Sequence, residues 1–205
     1  MLFFSAVSPE ALELLKDVQG LSILNDFYLV GGTALALRYG HRISVDLDFF
    51  TDKEFDTNIV IDTLQEKFPI HILSQAKNSL TIDIRSVKTD FIRHNYRLLK
   101  PVGKTDEIKM ASVEDIAAMK LNSTMNRGSK KDFYDIYELL KHFTLKDLIS
   151  LYTSKYDFSS QLIVLKSLVY FDDAEQEPDP VSVKPTSWNS VKQKISEAVG
   201  LLARS

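Results

Sequence analysis

The chain has 205 residues, 44% of them hydrophobic, and a formal net charge of −3, which is enough to bury one good core and carry a helical extension. It contains no cysteine, which excludes a disulfide framework, a thiolate zinc site and a thiol nucleophile. The mild acidity argues against coating nucleic acid by overall charge, the first residues lack a basic run ahead of an apolar core, and no stretch reaches the length of a bilayer span, so a cytoplasmic protein with no membrane partner is expected.

Ser8-Pro9-Glu10 opens a helix, with Ser8 as cap and Pro9 at the first helical position, and Leu12, Leu14, Leu15 and Val18 carry it towards Gly20. Phe27 to Val30 is short and β-prone, and Gly31-Gly32 follows before the helix-forming run Thr33 to Arg38, which reads as strand, glycine turn, helix. From His41 to Phe50 apolar and polar residues alternate, which predicts a strand with Ser44, Asp46 and Asp48 on one face. Residues 58 to 68 read as an amphipathic helix, and Ser79 to His94 as two strands joined by a tight turn near Arg85-Ser86, with Asp83 at a polar hairpin position.

Ser112-Val113-Glu114-Asp115 resembles a capping box and introduces a helix to about Asn126. Arg127-Gly128-Ser129 interrupts the pattern, and a helix over Asp132 to Phe143 follows, with Phe133, Ile136, Tyr137 and Leu140 as its apolar stripe. Helices are expected near 145 to 154 and 158 to 171, then an extended connector over 172 to 187 and a last helix from Trp188. The fold class is α/β (α+β): a mixed sheet of about four or five strands flanked by helices in residues 1–110, then a helical region over 111–205 that completes the site.

The chemistry starts from Asp46 and Asp48. Carboxylates two apart on a strand supply hard oxygen ligands for a pair of divalent cations, the arrangement phosphoryl and nucleotidyl transfer use. An isolated Asp-x-Asp is common by chance, and a glycine pair before a helix is ordinarily just a tight turn. Together they read as a nucleotide cradle facing a metal site, because backbone N–H groups at a helix N-terminus accept phosphate. Ser44 shares the aspartate face and could bind phosphate through its hydroxyl. Lys120 sits on a helix that is apolar almost all round, so its ammonium either snorkels to solvent or faces an anion. Asp132 and Asp135 are three apart, hence neighbours on their helix, and an aspartate in a first turn also suits the helix dipole. The basic groups Arg38, His41, Arg42 and Arg127, Lys130, Lys131 are ordinarily solvated surface; gathered on one rim they would hold a triphosphate or an RNA backbone.

The run from Leu29 through Gly31-Gly32-Thr33 to Leu37, followed by His41 to Phe50 with Asp46 and Asp48, resembles the first motif of the AbiEii/AbiGii-type nucleotidyltransferase toxins. Val87 to Ile92, Ala118 to Leu121 and Arg127 to Asp135 are similar to the second, third and fourth motifs, and Ser123 and Thr89 are mild departures. The resemblance implies a nucleotidyltransferase fold that uses Mg2+ (or Mn2+) and an NTP. It implies Asp90 as third metal-binding carboxylate and helper in deprotonating the acceptor hydroxyl, and Lys120 as phosphate contact. It makes Asp132 or Asp135 the partner of Lys120 or of the nucleotide, and it implies a tRNA acceptor and a cognate antitoxin. Transfer to a small molecule or protein hydroxyl, or a non-catalytic relative of the fold, are the competing functions.

Overall fold

The computed structural model describes residues 1–156 and 160–204. The chain divides into two compact units, Met1–Arg97 with Pro101–Ala111, and Leu98–Lys100 with Ser112–Ser205.

The first unit begins with helix α1 (Pro9–Gln19), whose cap is Ser8 accepting the Ala11 N–H at 3.2 Å; such a cap stabilises by about 1 kcal/mol. Strand β1 (Tyr28–Leu29) is only two residues long, and helix α2 (Gly31–Tyr39) starts at Gly31 itself, so the glycine pair forms the first residues of the helix and not a separate turn. Strand β2 (Leu47–Thr51) is shorter than the expected 41 to 50. The reason lies upstream: Ser44 gives its backbone to the N-terminal segment, with Ser44 N–H on the Ala6 carbonyl at 2.9 Å and Ser8 N–H on the Ser44 carbonyl at 3.0 Å. That docking buries Ser44 and turns Val45 out to 54% exposure, so the alternation before Leu47 does not mark a strand, and Asp46 stands just ahead of β2.

Helix α3 (Thr57–Gln65) leads to β3 (Ile70–Ala76), β4 (Ser79–Ile84), β5 (Val87–Arg93), β6 (Gly103–Thr105) and β7 (Ile108–Met110). The sheet is therefore seven-stranded, in the order β3-β4-β5-β2-β1-β7-β6, larger than the four or five strands expected. Strand β3 escaped notice because it is an edge strand whose residues are mostly exposed, which removes the alternating burial signal. The β4–β5 turn falls at Arg85 and Ser86, both at positive φ, and Asp83 accepts the Ser86 N–H at 3.0 Å. Strands β2 and β5 run parallel with Asp48 opposite Asp90, while β1 runs antiparallel to β2. Leu47, Phe49, Leu80, Ile82 and Phe91 are fully buried, with Phe49 stacked on Phe91 at 5.3 Å; each such side chain contributes about 1.5 to 3 kcal/mol.

The second unit is helical: α4 (Val113–Asn126), α5 (Lys130–Leu139), α6 (Leu145–Lys155), α7 (Gln161–Leu168), the short α8 (Asp172–Glu175) and α9 (Trp188–Leu202). Helix α5 starts and ends earlier than expected, and of the expected helix over 158 to 171 the first two residues lie outside those described. Ser112 caps α4 by accepting the Asp115 N–H at 3.0 Å. Asp115 in turn accepts the backbone N–H groups of Leu99 and Lys100 at 2.9 and 3.1 Å and pairs with buried Lys155 at 2.7 Å, which ties residues 98–100 to this unit.

The expected connector holds a helical turn. Trp188 donates to Glu175 at 3.0 Å, the Lys130 N–H to Glu177 at 2.8 Å, and Trp188 packs among Phe133, Phe171 and Tyr134. Among the described residues no helix is long and apolar enough to cross a membrane.

Candidate active site

Gly31 is where the first unit's chemistry is built. Its φ is +69°, and a Cβ there would stand 2.1 Å from Asp48 Oδ2, so the Asp48 carboxylate lies directly against the first residue of α2. Only glycine permits both the backbone angle and the approach. Val30, in the cap position, offers no side-chain hydrogen bond, and a carboxylate at this end is favoured by the helix dipole.

Behind this, Thr33 is fully buried, hydrogen-bonded to Ser44 Oγ at 2.8 Å and donating to the Asp46 carbonyl. Thr33 and Ser44, read from sequence as nucleotide contacts, are placed beneath the backbone that carries Asp46. Arg42 and His41 are also buried, 4% and 6% exposed, with Arg42 donating to the Ile43 carbonyl at 3.2 Å. The solvated-surface reading of that basic group fails for these two, because the segment folds against the N-terminal residues.

Asp90 neighbours Asp48 across the parallel pair of strands. Its Oδ1 accepts Thr81 Oγ at 2.5 Å, and its Oδ2 pairs with Lys88 Nζ at 3.1 Å. Partial burial opposes the charged form of Lys88, but the hydrogen bond to Asp90 and the negative field of Asp90, Asp48 and Asp46 outweigh it and raise the ammonium above the ordinary lysine value. Sequence reading passed over Lys88; its signal was the i, i+2 spacing that sets it on the Asp90 face of β5.

No three carboxylate or imidazole groups among the described residues converge as a ready-made metal cluster. The donors nevertheless fit magnesium, which is commonly held by one or two carboxylates with substrate phosphates and water completing the shell. Half-buried Asp46 and Asp48 are the two carboxylates that would hold it, and Asp90, opposite Asp48, is engaged to Thr81 and Lys88.

In the second unit Lys120 is 3% exposed and does not snorkel: Nζ lies 3.1 Å from Asp132 and 2.6 Å from Asp135. Both aspartates pair with it, where the resemblance offered one or the other as partner of Lys120 or of the nucleotide. Asp132 also accepts Ser129 Oγ at 2.7 Å and the Arg127 guanidinium at 2.8 and 3.2 Å. Burial favours the protonated acid, yet the charges of Lys120 and Arg127 and the Arg127 hydrogen bond overcome it and hold the Asp132 carboxyl at about 2. Lys130 is buried between Asp179 and the Trp188 ring, while Lys131 is half-buried. Tyr134 and Tyr152 are buried in the core, whereas Tyr137, a member of the expected apolar stripe, is partly exposed beneath Lys141.

The family model for the nucleotidyl transferase AbiEii toxin of type IV toxin–antitoxin systems matches residues 20–96 and 67–202. An uncharacterized protein of Aquifex aeolicus (strain VF5) is 44% identical over 180 residues, covering 83% of this chain and 86% of its own. Among solved structures, a candidate nucleotidyltransferase of Helicobacter pylori superposes with a TM-score of 0.62 at 18% identity over 96% of both chains. MenT4, a nucleotidyltransferase toxin of Mycobacterium tuberculosis H37Rv, superposes at 0.58 and 14% identity over 97% of this chain and 86% of its own. At these identities the two structures establish the shared fold. The matched segments span most of the sequence, and the chain belongs to the AbiEii nucleotidyl transferase toxin family.

Proposed function

We propose that this protein transfers a nucleoside monophosphate from an NTP to a hydroxyl on a nucleic-acid acceptor, a tRNA end in the first instance, and acts as a toxin held in check by a cognate antitoxin. The observation that carries the reading is the Asp48 carboxylate lodged against Gly31 at the start of α2 and set opposite Asp90. A carboxylate beside the N–H groups of a helix start supports the reading, because a triphosphate with its counter-ion calls for both.

Asp46 and Asp48 are the residues that hold Mg2+ or Mn2+, with Asp90 the third carboxylate of the row. The bound ion supplies charge neutralisation at the reacting phosphate. Gly31 and Gly32 offer backbone N–H groups to the phosphates. The acceptor oxygen forms its bond to the α-phosphorus as the bond from that phosphorus to the bridging oxygen breaks; pyrophosphate leaves, and the hydroxyl proton passes to Asp90. Thr33 and Ser44 act by fixing the Asp46 backbone, and Arg42 supports the same loop. In the second unit the Lys120, Asp132, Asp135 and Arg127 network is a positioning device, with half-exposed Arg127 its solvent-facing cation, and Lys131, on the helix of Asp132 and Asp135, is a further candidate phosphate contact.

Each α-32P-labelled NTP, incubated with the protein, magnesium and total tRNA beside an Asp48→Ala control, tests the proposal. Label entering RNA with wild type and not with the variant supports it and names the nucleotide. If no label enters RNA while calorimetry still registers NTP and magnesium binding, the acceptor is wrong, and small-molecule or protein hydroxyls take its place.

A further inference from the structure

We infer that Lys88 is a positioning residue whose ammonium holds Asp90 and competes with a divalent cation for it, so that the resting carboxylate row accepts one cation and engages Asp90 only when Lys88 lets go. This rests on the reading of Asp46, Asp48 and Asp90 as cation ligands.

Lys88 and Asp90 lie two apart on β5 and project from one face, with Nζ 3.1 Å from Asp90 Oδ2. Leu47 is opposite Thr89 and Asp48 opposite Asp90, and the Lys88 ammonium lies in the negative field of Asp46 as well as of Asp48 and Asp90. The lysine therefore stands in the carboxylate row and not at its margin. Its cross-strand neighbour Asp83 is a rival partner, but Asp83 accepts the Ser86 N–H in the hairpin turn, and the ammonium turns to Asp90 instead.

Three carboxylates against one ammonium leave two negative charges, which a single divalent ion neutralises. A second ion becomes electrostatically favourable when a polyanionic nucleotide arrives, and at that moment the released Lys88 has a phosphate oxygen to meet. The Lys88 side chain is 52% exposed while that of Asp90 is 14% exposed, so the lysine is the partner free to swing and the aspartate the one held, by Thr81.

Mn2+ binding to the intact protein without nucleotide, followed by electron paramagnetic resonance and calorimetry, tests the inference. Lys88→Met is expected to tighten Mn2+ binding roughly three- to tenfold, Lys88→Arg to stay near wild type, and Asp48→Asn to lose the site. Equal affinity in wild type and Lys88→Met, with Asp48→Asn still defective, overturns the role of Lys88 and leaves the reading of the carboxylates standing. A wild-type protein that binds no Mn2+, with or without an NTP, overturns that reading and the inference with it.

Discussion

Asp48 Oδ2 sits 2.1 Å from the point where any side chain at Gly31 would place its Cβ. Neither residue can be altered without consequence for the other, and the contact joins the start of α2 to the middle of the parallel β2–β5 pair. Gly31→Ala must relieve that overlap and also adopt a left-handed φ, which alone costs about 1 to 2 kcal/mol. The expected result is a protein that melts several degrees lower and has lost Mn2+ affinity. A variant with wild-type metal binding would show that the Asp48 rotamer is not set by this contact.

Asp90→Asn preserves shape and keeps an oxygen for Thr81, but it removes the charge that Lys88 faces. Circular dichroism should be unchanged while nucleotide transfer drops by about 100-fold or more, the usual scale for losing a general base. Transfer within a fewfold of wild type would remove Asp90 from the proton path.

Lys120→Met leaves Asp132 and Asp135 buried without the cation that lies between them. Breaking a buried pair on one side costs about 3 to 5 kcal/mol, so chemical denaturation should register a loss of that order. The double variant Lys120→Met with Asp135→Leu should recover part of it, since the remaining Asp132 keeps Arg127 and Ser129. No recovery would mean that the network acts through packing and not through charge.

Asp132 titrates at about 2 in the folded protein against an ordinary value of 3.8. A depressed acid stabilises the fold fully above the unfolded value and loses that contribution as pH falls from about 3.8 to about 2, an amount of about 2 kcal/mol. Urea unfolding at pH 6 and pH 3 should therefore differ more for wild type than for Arg127→Gln, because Arg127 supplies part of the depression from a half-exposed position. Equal differences would assign the acid sensitivity to other carboxylates.

The hairpin at Arg85-Ser86, the caps at Ser8 and Ser112 and the start of the last helix at Trp188 were all legible in the residues, because each depends on neighbours a few positions away. The nucleotidyltransferase fold was expected on the family resemblance, which also added Asp90 to the Asp46 and Asp48 that the residues themselves offered. Period-two alternation failed at Ser44 and Val45, where a long-range bridge from Val7 overrides the local pattern. It also missed β3, whose edge position leaves both faces wet.

The charges divide the same way. Sequence by itself determined which ionisable side chains exist and which stand at strand or helix spacing from one another, because spacing is a local property of the chain. Only the tertiary structure decided what each one faces: that Gly31 makes room for Asp48, that Lys88 ties down Asp90, and that Lys120 is sealed between two aspartates. A lysine looks alike in sequence whether water or a carboxylate surrounds its ammonium. The difference is the desolvation and pairing that arise when distant segments of the chain pack together.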